Sequence, residues 1–278
     1  MTDLTDDVRR HYQAAIDDSD DLLAKIGRMV DGMGEGPMTA ERLAGLDQFH
    51  FGGLAATAEV AKRAGVAVGM RVLDAGSGLG GPSRYLAETY DCDVTGVDLA
   101  PAYVAIAQLL AERAGLAGKV RYLVGDLAHM PLPDASVDMV WTQHVVMNIR
   151  DREGVYRAFH RVLKPGGTLA FYDVVAVEGV AAPLYPVPWA ATPETSALLS
   201  EAQTRAALAA AGLTVTRWDD VTGEAFAWMV HQRQAPPLAV DGGAVVGQRM
   251  VEMVGNFVRN LKEGRTRLVI GVCAKAAA

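Results

Sequence analysis

The run VLDAGSGLGG, from Val72 to Gly81, constrains this chain more than any other stretch. A short apolar strand runs into four glycines and re-enters a helix at Pro82, a residue suited to a first helical turn. Glycines let the backbone turn tightly and let a ligand approach it, and a helix start offers free N–H groups. A loop of this kind belongs at the edge of a doubly wound sheet, where parallel strands deliver their C-terminal ends to bound ligands.

The flanking pattern agrees. From residue 70 to 176, apolar strands (MRVLDAG, DVTGVDL, KVRYLVGD, VDMVWTQ, TLAFYDVVAV) alternate with helical segments (PSRYLAETY, PAYVAIAQLLAERAGL, residues 151–163). Such alternation predicts βαβ units and a parallel sheet covered on both faces, with right-handed crossovers. Ahead of it, residues 3–30 carry helical apolar spacing interrupted at 17–21, and a further helix from Leu54 stops at Gly65. Behind it come a Pro- and Ala-rich stretch at 177–195, a helix SEAQTRAALAAAGL, a strand LTVTRWDDV, mostly helical residues 224–262, and a last strand RLVIGVCAKA. We therefore expect a helical cap over 1–66 and an α/β core over 67–278, with a substrate-side insert at about 177–262.

Composition narrows the function. A net charge of −7 argues against nucleic acid as a partner, because counterion release on a basic face drives such binding. The N-terminus has no apolar signal core, and no run of 18 apolar residues occurs, so neither export nor a membrane partner is expected. The two cysteines, Cys92 and Cys273, lie far apart and fit no metal spacing; they read as buried small hydrophobes in a reducing cytoplasm. No metal is expected, and a homodimer is compatible with this reading.

Gly76, Gly78 and Gly81 satisfy GxGxxG, which fits NAD as well as S-adenosylmethionine. Asp74, two residues before the first glycine, separates the two: a carboxylate there repels a pyrophosphate and suits the ammonium group of a methionine moiety. Asp98, at the end of the second strand, can accept both ribose hydroxyls of either cofactor. Asp126 follows the third strand, where it could bond an adenine amino group, with Leu127 packing on the ring. Caps and turns are the competing readings of these carboxylates.

Together, VLDAGSGLGG, the acidic GVD end of strand two, GD after strand three, PLPDASVDMVW and LKPGG resemble the class I S-adenosylmethionine-dependent methyltransferases, over roughly residues 45–175. The resemblance implies a seven-stranded sheet with an antiparallel last strand. Within the family the chain is similar to the sarcosine and dimethylglycine N-methyltransferases and to sugar and natural-product O-methyltransferases. QFHFGG (48–53) resembles their HxG segment, WTQHVVMNIRDR (141–152) their segment after strand four, and HYQ (11–13) an aromatic motif lying over the cofactor. The resemblance thus implies a cofactor set of Asp74, Gly76, Ser77, Gly78, Gly80, Asp98, Leu99, Asp126 and Leu127, with Tyr12, His50 and His144 beside it, and a small-molecule methyl acceptor.

Methyl transfer is an in-line displacement, so alignment and exclusion of water do most of the work; a hydroxyl acceptor gains further from a general base. The relatives' common histidine falls at Asn148, which cannot accept a proton, while His144 stands where an acidic residue is frequent. Asp173 in AFYDVV resembles the acidic member of the sugar O-methyltransferase pair, against a structural hydrogen bond. The expectation is that Asp173 and His144 share the ligand edge and act on the acceptor, with His50 as a third candidate. Tyr185, Trp189, Phe226, Trp228 and Met229 read as an aromatic acceptor lid or as core. A nicotinamide oxidoreductase and a non-catalytic cofactor-binding protein remain as rivals. A nucleic-acid methyltransferase lacks its usual motif, TQHV standing after strand four.

Overall fold

The computed structural model describes residues 19–234 and 243–277. Helices α1 (Ser19–Asp31), α2 (Ala40–Asp47) and α3 (Gly53–Ala64) precede β1 (Arg71–Ala75). Then follow α4 (Gly81–Tyr90), β2 (Asp93–Asp98), α5 (Pro101–Arg113), β3 (Val120–Val124), β4 (Val137–Gln143), α6 (Arg152–Val162) and β5 (Leu163–Ala176). The chain closes with α7 (Glu201–Ala210), β6 (Leu213–Asp220), α8 (Thr222–Gln234), α9 (Gly243–Lys262) and β7 (Thr266–Lys275). One seven-stranded sheet results, in the order β3-β2-β1-β4-β5-β7-β6. The first five strands pair in parallel and β7 runs antiparallel between β5 and β6. This is the Rossmann-like, doubly wound α/β sheet expected from the strand–helix alternation.

Local signals fix the ends of the elements. Thr39 caps α2 by accepting from Arg42 N, Asp151 caps α6 by accepting from Gly154 N, and Ser200 with Gln203 forms a capping box on α7. Gly65 ends α3 in the left-handed region at φ 67°. β5 starts five residues earlier than expected, at Leu163 instead of Thr168. The Lys-Pro-Gly-Gly run does stop the helix but stays extended beside β4, across a register shift between Val137 and Met139. Within the expected 177–262 insert, β6 and α7 are part of the sheet and its cover, leaving the Pro-rich stretch, α8 and α9 on the ligand side.

Strand alternation divides the core. On one face, Val72, Trp141, Tyr172 and Val174 share a cluster with α3, α4, α5, α8 and α9. On the other, Leu73, Val140, Phe171 and Val175 share one with α6 and α7. A third cluster joins Ile26 and Val30 of α1 and Leu43 and Leu46 of α2 to Leu79 of the glycine loop and to Ile106 and Leu110 of α5. The described cap helices therefore share their core with the sheet. Cys92 and Cys273 are buried and unpaired.

A buried ion pair ties the cap to the glycine loop. Arg84 Nη2 meets Asp47 Oδ2 at 2.6 Å, both side chains having no solvent exposure. Burial pushes the Asp47 carboxyl up to about 6 even against the lowering effect of Arg84. Removing one member leaves the other charge stranded in the core. Asp47→Asn or Arg84→Met should lower folding stability by about 3–5 kcal/mol in chemical denaturation, while an apolar double replacement recovers much of it.

Candidate active site

Between β1 and β4 the strand order reverses, which opens a crevice at their C-terminal ends. Gly76 lies at that point with φ 78°, its N–H donating to Val97 O at 2.8 Å, and a Cβ there would overlap the Val145 side chain. Gly78 has φ 52° and nothing within 4 Å of where a Cβ would stand, so its backbone faces open space. A Cβ on Gly80 would strike the Tyr122 hydroxyl. The glycines are thus required by both conformation and close approach.

Asp98 is set by the same loop. Its Oδ2 accepts from Gly78 N at 2.8 Å and its Oδ1 from Ala100 N at 2.9 Å. Burial raises its pKa, opposed by those backbone donors. Each carboxylate oxygen keeps a second lone pair, enough for two neighbouring hydroxyls. Asp74 is buried and accepts from Ser83 Oγ at 2.5 Å, so one of its oxygens is spent on the first turn of α4. Burial, with the nearby Asp98 charge, pushes it up to about 7. Ser77 Oγ is buried without a partner. These features fit a nucleoside with an amino-acid tail: a glycine cradle, a carboxylate with free lone pairs, and an unsatisfied hydroxyl.

The other expected cofactor residues fall less evenly. Asp126 accepts from Ala128 N at 2.9 Å and is partly exposed. Leu127 is buried in the core cluster that holds Val97 and Met130. Leu99 is half-buried beside Asp98. Tyr12 lies outside the described residues.

His144 follows β4 in the left-handed region at φ 54°, a position that side chains rarely occupy. Its N–H donates to Tyr172 O at 2.8 Å, and its Nε2 is buried without a partner. Its ring stands 4.8 Å from that of Tyr172, 6.1 Å from His50 and 6.3 Å from Phe257. Burial lowers the His144 pKa well below the ordinary histidine value, and lowers that of His50 to about 4. Both imidazoles are neutral near pH 7 and weak as bases. His50 Nε2 lies 3.0 Å from Gly53 O, an acceptor only, so Nε2 carries the proton.

The expected pairing of Asp173 with His144 is not formed. Tyr172 faces the α3, α9 side together with His144, so Asp173, one residue on, faces the α6 side. It also lies three residues inside β5 and not at its end. There it is buried, with Oδ1 accepting from Val174 N at 3.2 Å and Arg152 as the charge acting on it. Asn148 is buried in a short 3-10 turn, its Nδ2 donating to Val145 O at 3.1 Å, which holds the post-β4 segment in shape.

The aromatic candidates of the Pro-rich stretch and α8 gather on one face of the sheet. Trp189 is buried, donating Nε1–H to Ser196 Oγ at 3.2 Å and meeting Phe257 edge-on at 5.2 Å. Trp228 faces Tyr172 at 6.4 Å, and Phe226 faces Phe51 at 5.8 Å. Tyr185 packs against the same cluster, and Met229 is half-buried on α8. Phe51, Tyr172 and Phe257 complete the group and escaped the sequence reading, since nothing in their local pattern separates them from core. The buried Asp47–Arg84 pair and Tyr122 beneath the loop were likewise missed.

Burial raises Asp173 from 3.8 to about 7, partly offset by Arg152. The folded protein thus holds a proton that the unfolded chain releases, and this contribution to stability is full below pH 3.8 and lost as pH rises through 7. Asp173→Asn does not titrate. Its melting temperature relative to the parent should climb between pH 5 and pH 8; a pH-independent difference contradicts the assignment.

Comparison with known proteins places this geometry. A family model described as a methyltransferase domain matches residues 73–171. A sterol 24-C-methyltransferase of Gibberella zeae is 39% identical over 114 residues, which are 41% of this chain and 30% of that one. The chain spans about a third of the length of such curated relatives. Among solved structures, the [4+2]-cyclase SpnF superposes with a TM-score of 0.63 at 26% identity, over 80% of each chain. Geranyl diphosphate C-methyltransferase from Streptomyces coelicolor A3(2), solved with Mg²⁺, geranyl-S-thiolodiphosphate and S-adenosyl-L-homocysteine, gives 0.66 at 18% identity over 80% and 76%.

Proposed function

We propose that this chain, whose residues 73–171 match the methyltransferase-domain model, transfers the methyl group of S-adenosylmethionine to a small, largely apolar acceptor. The observation that carries the reading is Asp98, locked by Gly78 and Ala100 at the end of β2 with lone pairs left for a ribose, beside a glycine loop that leaves room for a ligand. When bound, the cofactor supplies a sulfonium methyl already activated for displacement. Asp98, Ser77 and the loop glycines would hold its nucleoside end, Asp126 its adenine, and Asp74 would steady the loop through Ser83.

The acceptor would lie among Tyr185, Trp189, Phe226, Trp228, Tyr172 and Phe257. These rings exclude water and favour a flat or hydrocarbon body. With His144 and His50 neutral, the acceptor side offers hydrogen bonding and alignment in place of strong base catalysis. We assign His144 Nε2, buried and unpartnered, the task of orienting the acceptor's heteroatom. An aromatic acceptor side suits the products of specialised metabolism, and two buried, unpaired thiols suit a reducing cytoplasm.

A second reading is favoured by one comparison. The [4+2]-cyclase SpnF is 26% identical over 80% of both chains, and an aromatic cluster beside neutral imidazoles also suits a cyclisation that needs no methyl transfer.

Titration of the protein with S-adenosylhomocysteine in a calorimeter, with NAD as control, should show binding that Asp98→Ala weakens by about tenfold or more, roughly 1.4 kcal/mol. Preference for NAD overturns the cofactor reading. With apolar acceptors, formation of S-adenosylhomocysteine supports methyl transfer, and His144→Ala should slow it with cofactor affinity kept. A cyclised product without S-adenosylhomocysteine selects the second reading.

A further inference from the structure

The Pro-rich stretch carries two of the acceptor-side rings, Tyr185 and Trp189, without a ladder to hold them. Between β5 and the Val187–Ala190 turn the chain forms neither helix nor strand, and Pro183, Pro186 and Pro188 each lack a backbone donor. The buried backbone groups of such a stretch need partners from elsewhere. Helix α9 supplies them. Asn260, with no solvent exposure, accepts from Leu184 N at 2.7 Å through Oδ1 and donates to Leu184 O at 2.9 Å through Nδ2. A peptide N–H only donates and a carbonyl only accepts, so the orientation of this amide is fixed, and one side chain stands in for a neighbouring strand. One turn earlier, Asn256 Nδ2 donates to Pro186 O at 3.0 Å. The residues on either side of Tyr185 are thereby tied to one helix.

Helical spacing makes these bonds part of one wall. Met253, Asn256, Phe257, Asn260 and Leu261 recur at i, i+3, i+4, i+7 and i+8, the inward face of α9. Phe257 therefore stands among the amides, and it meets Trp189 edge-on at 5.2 Å, Phe51 at 5.5 Å and His144 at 6.3 Å. Just past α9, Arg265 Nη1 donates to Ala182 O, and the Arg265 carbonyl accepts from Val177 N at 3.0 Å, which holds the start of the same stretch. Rings this close are in contact. A body that lies among them enters by parting them, and a wider body parts them further. What resists is the pair of amides, whose bonds are directional and costly to leave unmade. An apolar side chain of similar size would fill the same space without fixing where Leu184 and Pro186 stand.

We propose that Asn256 and Asn260 are positioning residues that set the width of acceptor the site admits, by holding the Tyr185–Trp189 wall against Phe257 and His144. This rests on the reading that the acceptor lies among these rings. The two asparagines act through Leu184 and Pro186 and not on a reacting atom.

The test is equilibrium binding of 2-naphthol and of the wider 1-hydroxypyrene, flat apolar bodies that carry the same hydroxyl, to the full chain in the presence of S-adenosylhomocysteine. The affinity for S-adenosylhomocysteine and the amide hydrogen exchange of residues 184–190 are measured beside it. The parent should prefer 2-naphthol. Asn260→Leu and Asn256→Leu should shrink that preference about tenfold or more, quicken exchange at 184–190 but not in β1 or β4, and bind S-adenosylhomocysteine as the parent does. Asn260→Asp, which keeps an acceptor for Leu184 N–H, should fall between. Asn256→Leu, at a half-buried position, carries the test if Asn260→Leu does not fold. An unchanged preference in a variant whose 184–190 exchange has quickened overturns the assignment, as does unchanged exchange there. A common loss of both probes and of S-adenosylhomocysteine means a structural role and overturns it too. A parent that binds both probes equally shows that width is not selected, and one that binds neither refutes the acceptor reading beneath the proposal.

Discussion

Asp47 and Arg84 meet in the protein interior at 2.6 Å with no access to water, and the site is built outward from that pair. Asp47 ends α2, in the cap; Arg84 stands in the first turn of α4, directly after the glycines. Arg84 Nη1 reaches towards Tyr122 Oη at 3.5 Å, and that hydroxyl donates to Gly80 O at 3.3 Å. A cap helix, the loop and β3 thus share one polar contact chain in a low-dielectric setting, where misplacing any member strands a charge or a donor. Gly81 leaves no space for a side chain because the Asp47 carbonyl and the Gln48 amide lie against it.

From that point the division of labour across the sheet follows. Asp74, Asp98, Gln143 and Tyr172 fall on one face by strand alternation, and the histidines and aromatic rings gather there. Asp173 falls on the other, where Arg152 and the backbone around Val146 absorb it. A polar, glycine-rich half and an aromatic half therefore meet at the C-terminal ends of β1 and β4. His144, strained at φ 54°, stands beside Gln143 on the border between them.

Burial lowers the basicity of both imidazoles on the acceptor side. A site so arranged would rely on position and water exclusion, as the proposed methyl transfer requires.

The sequence by itself determined the sheet and the order of its elements, and it marked the glycine loop and the strand-end carboxylates as a candidate nucleoside site. Those rest on short-range signals: glycines that only one turn geometry explains, carboxylates at strand ends, and period-two and period-three-to-four apolar spacing. It also marked Trp189, Phe226 and Trp228 as aromatic neighbours without saying whether they lined a pocket or filled a core. Tertiary structure decided the rest, because those questions turn on which residues distant in sequence come together. A one-residue step along β5 sends Tyr172 to the ligand face and Asp173 away from it, and no local pattern near residue 173 records where the strand ends. The ion pair of residues 37 apart and the burial that neutralises two histidines exist only once the cap helices pack on the sheet. Composition and spacing carry no trace of them.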